Sequence, residues 1–346
     1  MKKIPLIILA LLMLMSCGAP QVAILDKSKF VWPQPPARPR IRMIDVIITD
    51  RDFKKSTMSE TLFGETVTFA FRKPHGIVAD KRGIIYVSDT GLGTVFTIDL
   101  KNGATGKLFN SSGYKLPLGL SYDGTLDWIA VADGVKKIVT VTDLAAKKEK
   151  LVLGLDVKFG NPVKAAFDPQ RERIYVADTG LHKIWVFDFQ GKHIMDIGKK
   201  GSAPGHLFFP TGVAVNKEGN IYVVNSFNFR YDIFDPDGKF IRSIGGHGDR
   251  PGMFARPKAL DFDSDGNVYV TDAAFNNFQI FDKDDTILLF VGLGGTIPGA
   301  FQNIYSIYID KTNDYIYTTD QTNKRIQIFQ YISDARWEEE QRAKPQ

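Results

Sequence analysis

The chain has 346 residues, of which 44% are hydrophobic, 12% aromatic and 24% charged, a composition that can fill a sizeable core and is too apolar for a disordered chain. Its formal net charge of +5 is a small excess for this length and is only a weak argument for any partner. A single cysteine allows neither an internal disulfide nor a Cys-x-x-Cys metal site, which removes thiol redox and thiolate-metal chemistry.

Lys2 and Lys3 precede an apolar run over residues 4–15, too short to span a bilayer comfortably, and this pattern predicts a secretory signal over residues 1–16. Its removal leaves 330 residues and, because two lysines leave with it, a net charge of +3. The run closes in Leu14-Met15-Ser16-Cys17, which resembles the lipobox of bacterial lipoproteins. The resemblance implies cleavage before Cys17 and diacylglycerol on its sulfur, an anchor that gains about 0.8 kcal/mol per buried CH2. Gly18 stands where Asp would favour inner-membrane retention, so the resemblance also implies the outer membrane of the cell envelope. The alternative is a cleaved, soluble protein with a free thiol. Residues 17–40 read as a lipidated cysteine and tether, in which Pro33, Pro35, Pro36 and Pro39 favour an extended, semi-rigid spacer.

A β-rich run over residues 41–49 then precedes one unit written six times. Short β-type runs, each closed by Asp or Asn, end at Asp89, Asp133, Asp178, Asn225, Asp272 and Asp320, with spacings of 44, 45, 47, 47 and 48 residues. Each unit holds an apolar strand, this Tyr-rich strand, a polar loop, a third strand ending as in Phe187-Asp188 or Phe234-Asp235, and a fourth strand. Four antiparallel strands per repeat of this length match propeller blades, whereas helical solenoids would show a 3.6-residue pattern. Gly198 and Gly205, Gly245 and Gly252, and Gly292 and Gly299 are each seven residues apart and are followed by Phe208, Phe254 and Phe301. Together with Asp320, Asn323 and Arg325, these residues resemble the NHL-repeat family of six-bladed β-propellers over about residues 41–332, although blades 2 and 3 lack the paired glycines. The expected fold is all-β, a six-bladed β-propeller with four antiparallel strands per blade. Blade 6 runs out of chain after Phe329, so residues 41–49 are expected to supply its missing strand. The polar segment 333–346, with Glu338, Glu339 and Glu340 in a row, reads as a frayed helix or solvated tail.

Alternating strand direction sorts the loops. Those before the first strand and between the second and third share one face, here the upper, and the others form the lower face. The residues after each blade's opening position, His75, Leu118, Val163, Thr211, Lys258 and Tyr305, should ring the upper mouth of the central channel. Thr211, Lys258, Tyr305 and His75 are neighbours in blade order and form a polar arc, which is either a pocket or a merely hydrated mouth. Arg230 and Arg325 in upper loops, with Phe227 and Phe275 at loop tips, have the composition of a protein interface, while Asp235, Asp237 and Asp282 make the lower turns acidic. The expected function is a membrane-anchored, extracytoplasmic binding or assembly module whose upper face takes a protein partner or small ligand, with no nucleic acid, metal or cofactor. The alternative is a propeller enzyme of lyase or hydrolase type centred on His75, and whether the chain is an enzyme stays open.

The segment Lys73-Pro74-His75-Gly76-Ile77 resembles the zinc-ligand segment of peptidyl-amidoglycolate lyase, which implies further histidines at equivalent openings, but this chain has none there. Lactonase-like propellers hold a metal with carboxylates and amides, and no Glu occupies an inner opening here. Asp261, Asp263, Asp265 and Gly266 imitate half of an EF-hand loop but sit at a hairpin. Asp261 is the one acid at its inner-strand position and is expected to find a donor in the next blade. The repeated aspartates are expected to accept turn N–H groups rather than to catalyse.

Overall fold

The second strand of every repeat is buried at nearly every position, the pattern of a strand covered on both faces. In the computed structural model, which describes residues 29–54, 67–109 and 113–343, these strands lie inside six separate antiparallel sheets. Blade 1 is Pro74–Ala79, Ile84–Asp89, Thr94–Asp99 and Ala104–Lys107; blade 2 is Pro117–Asp123, Trp128–Asp133, Ile138–Asp143 and Lys148–Leu153. Blade 3 is Pro162–Asp168, Arg173–Asp178, Lys183–Asp188 and His193–Ile197; blade 4 is Pro210–Val215, Ile221–Asn225, Arg230–Phe234 and Phe240–Gly245. Blade 5 is Pro257–Phe262, Val268–Asp272, Asn277–Phe281 and Ile287–Val291. Successive side chains of a strand point to opposite faces, so Val87 packs toward blade 6 while Tyr86 packs toward blade 2. Each seam between neighbouring blades therefore has its own buried apolar cluster, and the six clusters close a ring.

Both ends of the chain build blade 6. Ile304–Asp310, Tyr315–Asp320 and Arg325–Tyr331 are joined by Ile41–Ile47, which runs antiparallel to the last of them with Ile41 opposite Tyr331 and Ile47 opposite Ile326. The closing strand is present and ends two residues before the expected limit at residue 49. It removes a free edge and buries Ile41, Met43 and Ile47 in the seams of its blade.

The spacer expected over residues 33–39 is corrected by what precedes it. Val31–Trp32 pairs with Ile41 and Arg42 as a fifth strand of blade 6, so residues 33–40 form the link of a hairpin rather than a free extended segment. Aromatic burial is the cause: Phe30 and Trp32 pack on the cluster between blades 5 and 6, and Trp32 meets Phe329 edge-on at 5.7 Å. The other end forms a short helix, Asp334–Arg342, whose N-cap Ser333 accepts the N–H of Arg336. Arg38 and Arg40 reach Asp334 at 2.6 and 2.7 Å, and Arg42 reaches Glu340 at 2.8 Å.

The paired glycines serve the connections between blades 3 and 4, 4 and 5, and 5 and 6. Gly245 takes a φ of +96°, and a Cβ there would lie 2.5 Å from the ring of Phe254, so the aromatic of the motif fills the space that the glycine leaves. The predicted signal and Cys17 fall outside the described residues.

Candidate functional site

The blade-opening residues are positioned by a relay between blades. In blades 1, 5 and 6 the residue before the repeat aspartate is Ser88, Thr271 or Thr319, and its hydroxyl accepts the inner-strand N–H of Gly76, Ala259 or Ser306 at 2.8 to 3.0 Å. The same hydroxyls donate to the carbonyls of Leu118, Tyr305 and His75 in the following blade. The backbone on which His75 and Tyr305 stand is thus tied to its neighbours, which leaves both side chains for the channel mouth.

Three of the four arc residues come into direct register. The His75 and Tyr305 rings are 4.0 Å apart, and Lys258 Nζ stands 5.3 Å from the centre of the Tyr305 ring. Burial, with Lys258 and Lys73 adding positive charge, drives the His75 pKa down to about 3, so the imidazole is neutral near pH 7. Burial and then Arg256 lower the Lys258 ammonium to about 8 against the pull of Asp272. Thr211 stands on the adjoining inner strand of blade 4. His75 Nδ1 and Thr211 Oγ1 are buried without a partner, and Lys258 has no hydrogen bond or ion pair among the described residues. An unmet cation, hydroxyl and imidazole at one mouth make a place for an acceptor group.

The same residues do not fit a catalytic zinc, which needs three protein ligands and a water. The other openings hold Leu118, Val163, Thr211, Lys258 and Tyr305, and no three His, Cys, Asp or Glu side chains are grouped to hold a metal ion among the described residues.

The repeat aspartates are structural. Asp89 accepts the N–H groups of Arg72, Lys73, Gly91 and Leu92, and Asp133, Asp178 and Asp272 do the same in their own blades. The EF-hand imitation is a turn in which Asp263 accepts Asp265 N, Asn267 N and the Tyr269 hydroxyl. Asp261 finds its donor in the next blade, the N–H of Ile309 at 2.8 Å.

Two expected partner-binding cations are corrected. Arg325 is only 3% exposed; its guanidinium binds Asp320 and the carbonyls of Thr296, Ile297 and Ala300, so it pins a connecting loop and cannot reach a partner. Arg230 is spent in the same way on Asp232 and the carbonyls of Ser202 and Ala203. Phe227 is 47% exposed at its loop tip and stacks on Phe209 at 4.7 Å, while Phe275 is half-buried.

Two features escape a reading of motifs. Leu92, Val135 and Leu181 occupy the same loop tips as Phe227 in blades 1 to 3 and are likewise exposed, which makes an apolar rim. Lys164 lies in the channel, where a cavity of about 270 Å³ opens at the lower mouth. Aligning the six inner strands by position could have found it, because Lys164 is the one long side chain in its column.

The DUF5128 family model, described as a 6-bladed beta-propeller, matches residues 168–232. A structural genomics protein of unknown function from Bacteroides thetaiotaomicron is similar in structure, with a TM-score of 0.65, 16% sequence identity, and 84% of this chain and 75% of that one covered. A gluconolactonase from Xanthomonas campestris is similar with a TM-score of 0.60 at 14% identity, over 85% of this chain and 99% of that one. No functionally curated protein matches. At these identities the likeness establishes the six-bladed propeller and leaves chemistry to the residues themselves.

Proposed function

We propose that this protein is a lipid-anchored binding module of the bacterial cell envelope, held at Cys17, with the upper face of its propeller docking a protein partner. The address rests on the signal-like run that ends at Cys17. The docking rests on one observation: large hydrophobic side chains are strongly exposed on upper loops and outer strands, and on none of the lower turns among the described residues. Leu92, Val135, Leu181 and Phe227 rim the channel mouth in four successive blades, and apolar patches of this kind suit a partner surface. On the same face, Lys258 with His75, Thr211 and Tyr305 offers a cationic, donor-rich socket for an acidic side chain of the partner.

Photo-crosslinking in native membranes tests the proposal. A crosslinking residue at Leu181 or Phe227 should give one adduct of discrete mass, and the same residue at Asp237 or Lys192 in lower turns should give none. Lys258→Ala should reduce the upper-face adduct by roughly tenfold, the scale of an interface hot spot. Equal adducts from both faces, or none, would overturn the docking face. Stoichiometric zinc that vanishes in His75→Ala would replace binding with the lyase or hydrolase reading.

A further inference from the structure

Two positions after the opening Pro or Ile, five of the six inner strands carry a small residue, Gly76, Gly119, Gly212, Ala259 or Ser306. Sterics demand it: a Cβ on Gly76 would lie 2.6 Å from the Leu118 carbonyl oxygen, and one on Gly119 would lie 2.3 Å from that of Val163. Blade 3 departs from this and sends Lys164 into the channel. Lys164 Nζ donates to the Leu120 carbonyl across the seam with blade 2 and has no ion pair among the described residues. An ammonium has three donors, so this one acceptor leaves others for the cavity. Burial disfavours the charge, and Asp261 only partly offsets that.

The cavity beside Lys164 is amphipathic. Ala166, Ala214 and Val215 of blades 3 and 4 give it an apolar wall, and Ser121, Asp261 and Tyr308 of blades 2, 5 and 6 complete the lining. The Tyr308 hydroxyl has no partner among the described residues, whereas the acids at the rim are occupied: Asp80, Asp123 and Asp310 accept N–H groups of their own turns. Asp261 is taken by the N–H groups of Phe262 and Ile309, with Lys311 at 3.9 Å. Unmet donors are therefore in excess, next to an apolar wall. The cavity, about 270 Å³, is far larger than a single-water site and has room for a small organic ligand.

We propose that the lower mouth of the channel is a second binding site, separate from the docking face, for a small organic carboxylate. The carboxylate meets Lys164 and the Tyr308 hydroxyl, and the apolar body lies against Ala166, Ala214 and Val215. Benzoate is the probe, with benzamide as its uncharged counterpart, titrated calorimetrically into the full chain. Benzoate should bind saturably at one site, and binding should weaken at least tenfold in Lys164→Met and with benzamide, but not in Lys258→Met. Absence of saturable benzoate binding overturns the site, and equal weakening in Lys258→Met would move the anion to the upper mouth. Should Lys164→Met fail to fold, wild-type protein carrying isotopic methyl labels on its lysines decides the matter. Benzoate must then shift the resonance of Lys164, and an unmoved signal overturns the proposal.

Discussion

A histidine that is neutral when folded and free to protonate when unfolded ties stability to pH. Unfolded, His75 titrates near 6.5, whereas folded it titrates near 3, because burial and then the positive charge of Lys258, Lys73 and Lys164 oppose the imidazolium. Between those values the unfolded chain holds the proton and the folded chain does not. Stability from this group is therefore complete above about pH 6.5 and declines as pH falls toward 3, by about 1.4 kcal/mol per pH unit. Chemical denaturation at pH 6.5 and pH 4 should show the wild type losing roughly 3 kcal/mol more than His75→Gln, which keeps a polar side chain but does not titrate. Parallel losses would mean that the folded mouth admits the proton, and hence that His75 is open to water.

At the scale of elements, the closing strand and the C-terminal helix both bring distant sequence together, with very different weight. Ile41–Ile47 buries Ile41, Met43 and Ile47 and covers Phe329, and each such side chain contributes about 1.5–3 kcal/mol. Their sum approaches the whole stability of an ordinary domain, about 5–15 kcal/mol. The helix has no buried residue and is held largely by exposed ion pairs, each contributing about 0–1 kcal/mol. Deleting residues 41–49 should abolish the cooperative melt seen by circular dichroism, and deleting residues 337–346 should lower the Tm by only a few degrees. Similar melts for both truncations would contradict the closure. The need for this strand is legible in the sequence, because blade 6 is one strand short and a β-rich run stands unassigned at the other end. The hairpin that precedes it is not, since proline spacing alone describes a spacer and only the docking of Phe30 and Trp32 folds it back.

For the whole molecule, blade 6 decides where the anchor leaves. Val31–Trp32 pairs with Ile41 and Arg42 at the lower end of the closing strand, and the Phe30 carbonyl accepts the N–H of Met43, so residue 29 lies part-way up the outer edge of blade 6. Under the proposed anchor, the twelve steps from Cys17 to Lys29 span at most about 40 Å, which bounds how far the outer edge of blade 6 can stand from the membrane. Metabolic labelling with a fatty acid should mark the wild type and leave Cys17→Ser unmarked, with the variant released from the membrane fraction. Equal labelling of the two proteins would remove the anchor.

The ring is legible in the order of residues: a period of 44 to 48 residues, an Asp or Asn that closes the second strand of each unit, and two chain ends that complete one blade. These are local patterns, since an aspartate that accepts neighbouring N–H groups, or a strand covered on both faces, is written in adjacent residues. Which cations are free is settled by contacts between segments far apart in the chain. Arg325 and Arg230 look as available as Lys258 and Lys164 in the chain, yet the arginines meet carbonyls brought in from loops more than twenty residues away. Lys258 finds only an aromatic face, and Lys164 finds one carbonyl beside a cavity. A side chain's availability depends on which polar groups other segments place beside it, and that becomes defined when the blades close around the channel.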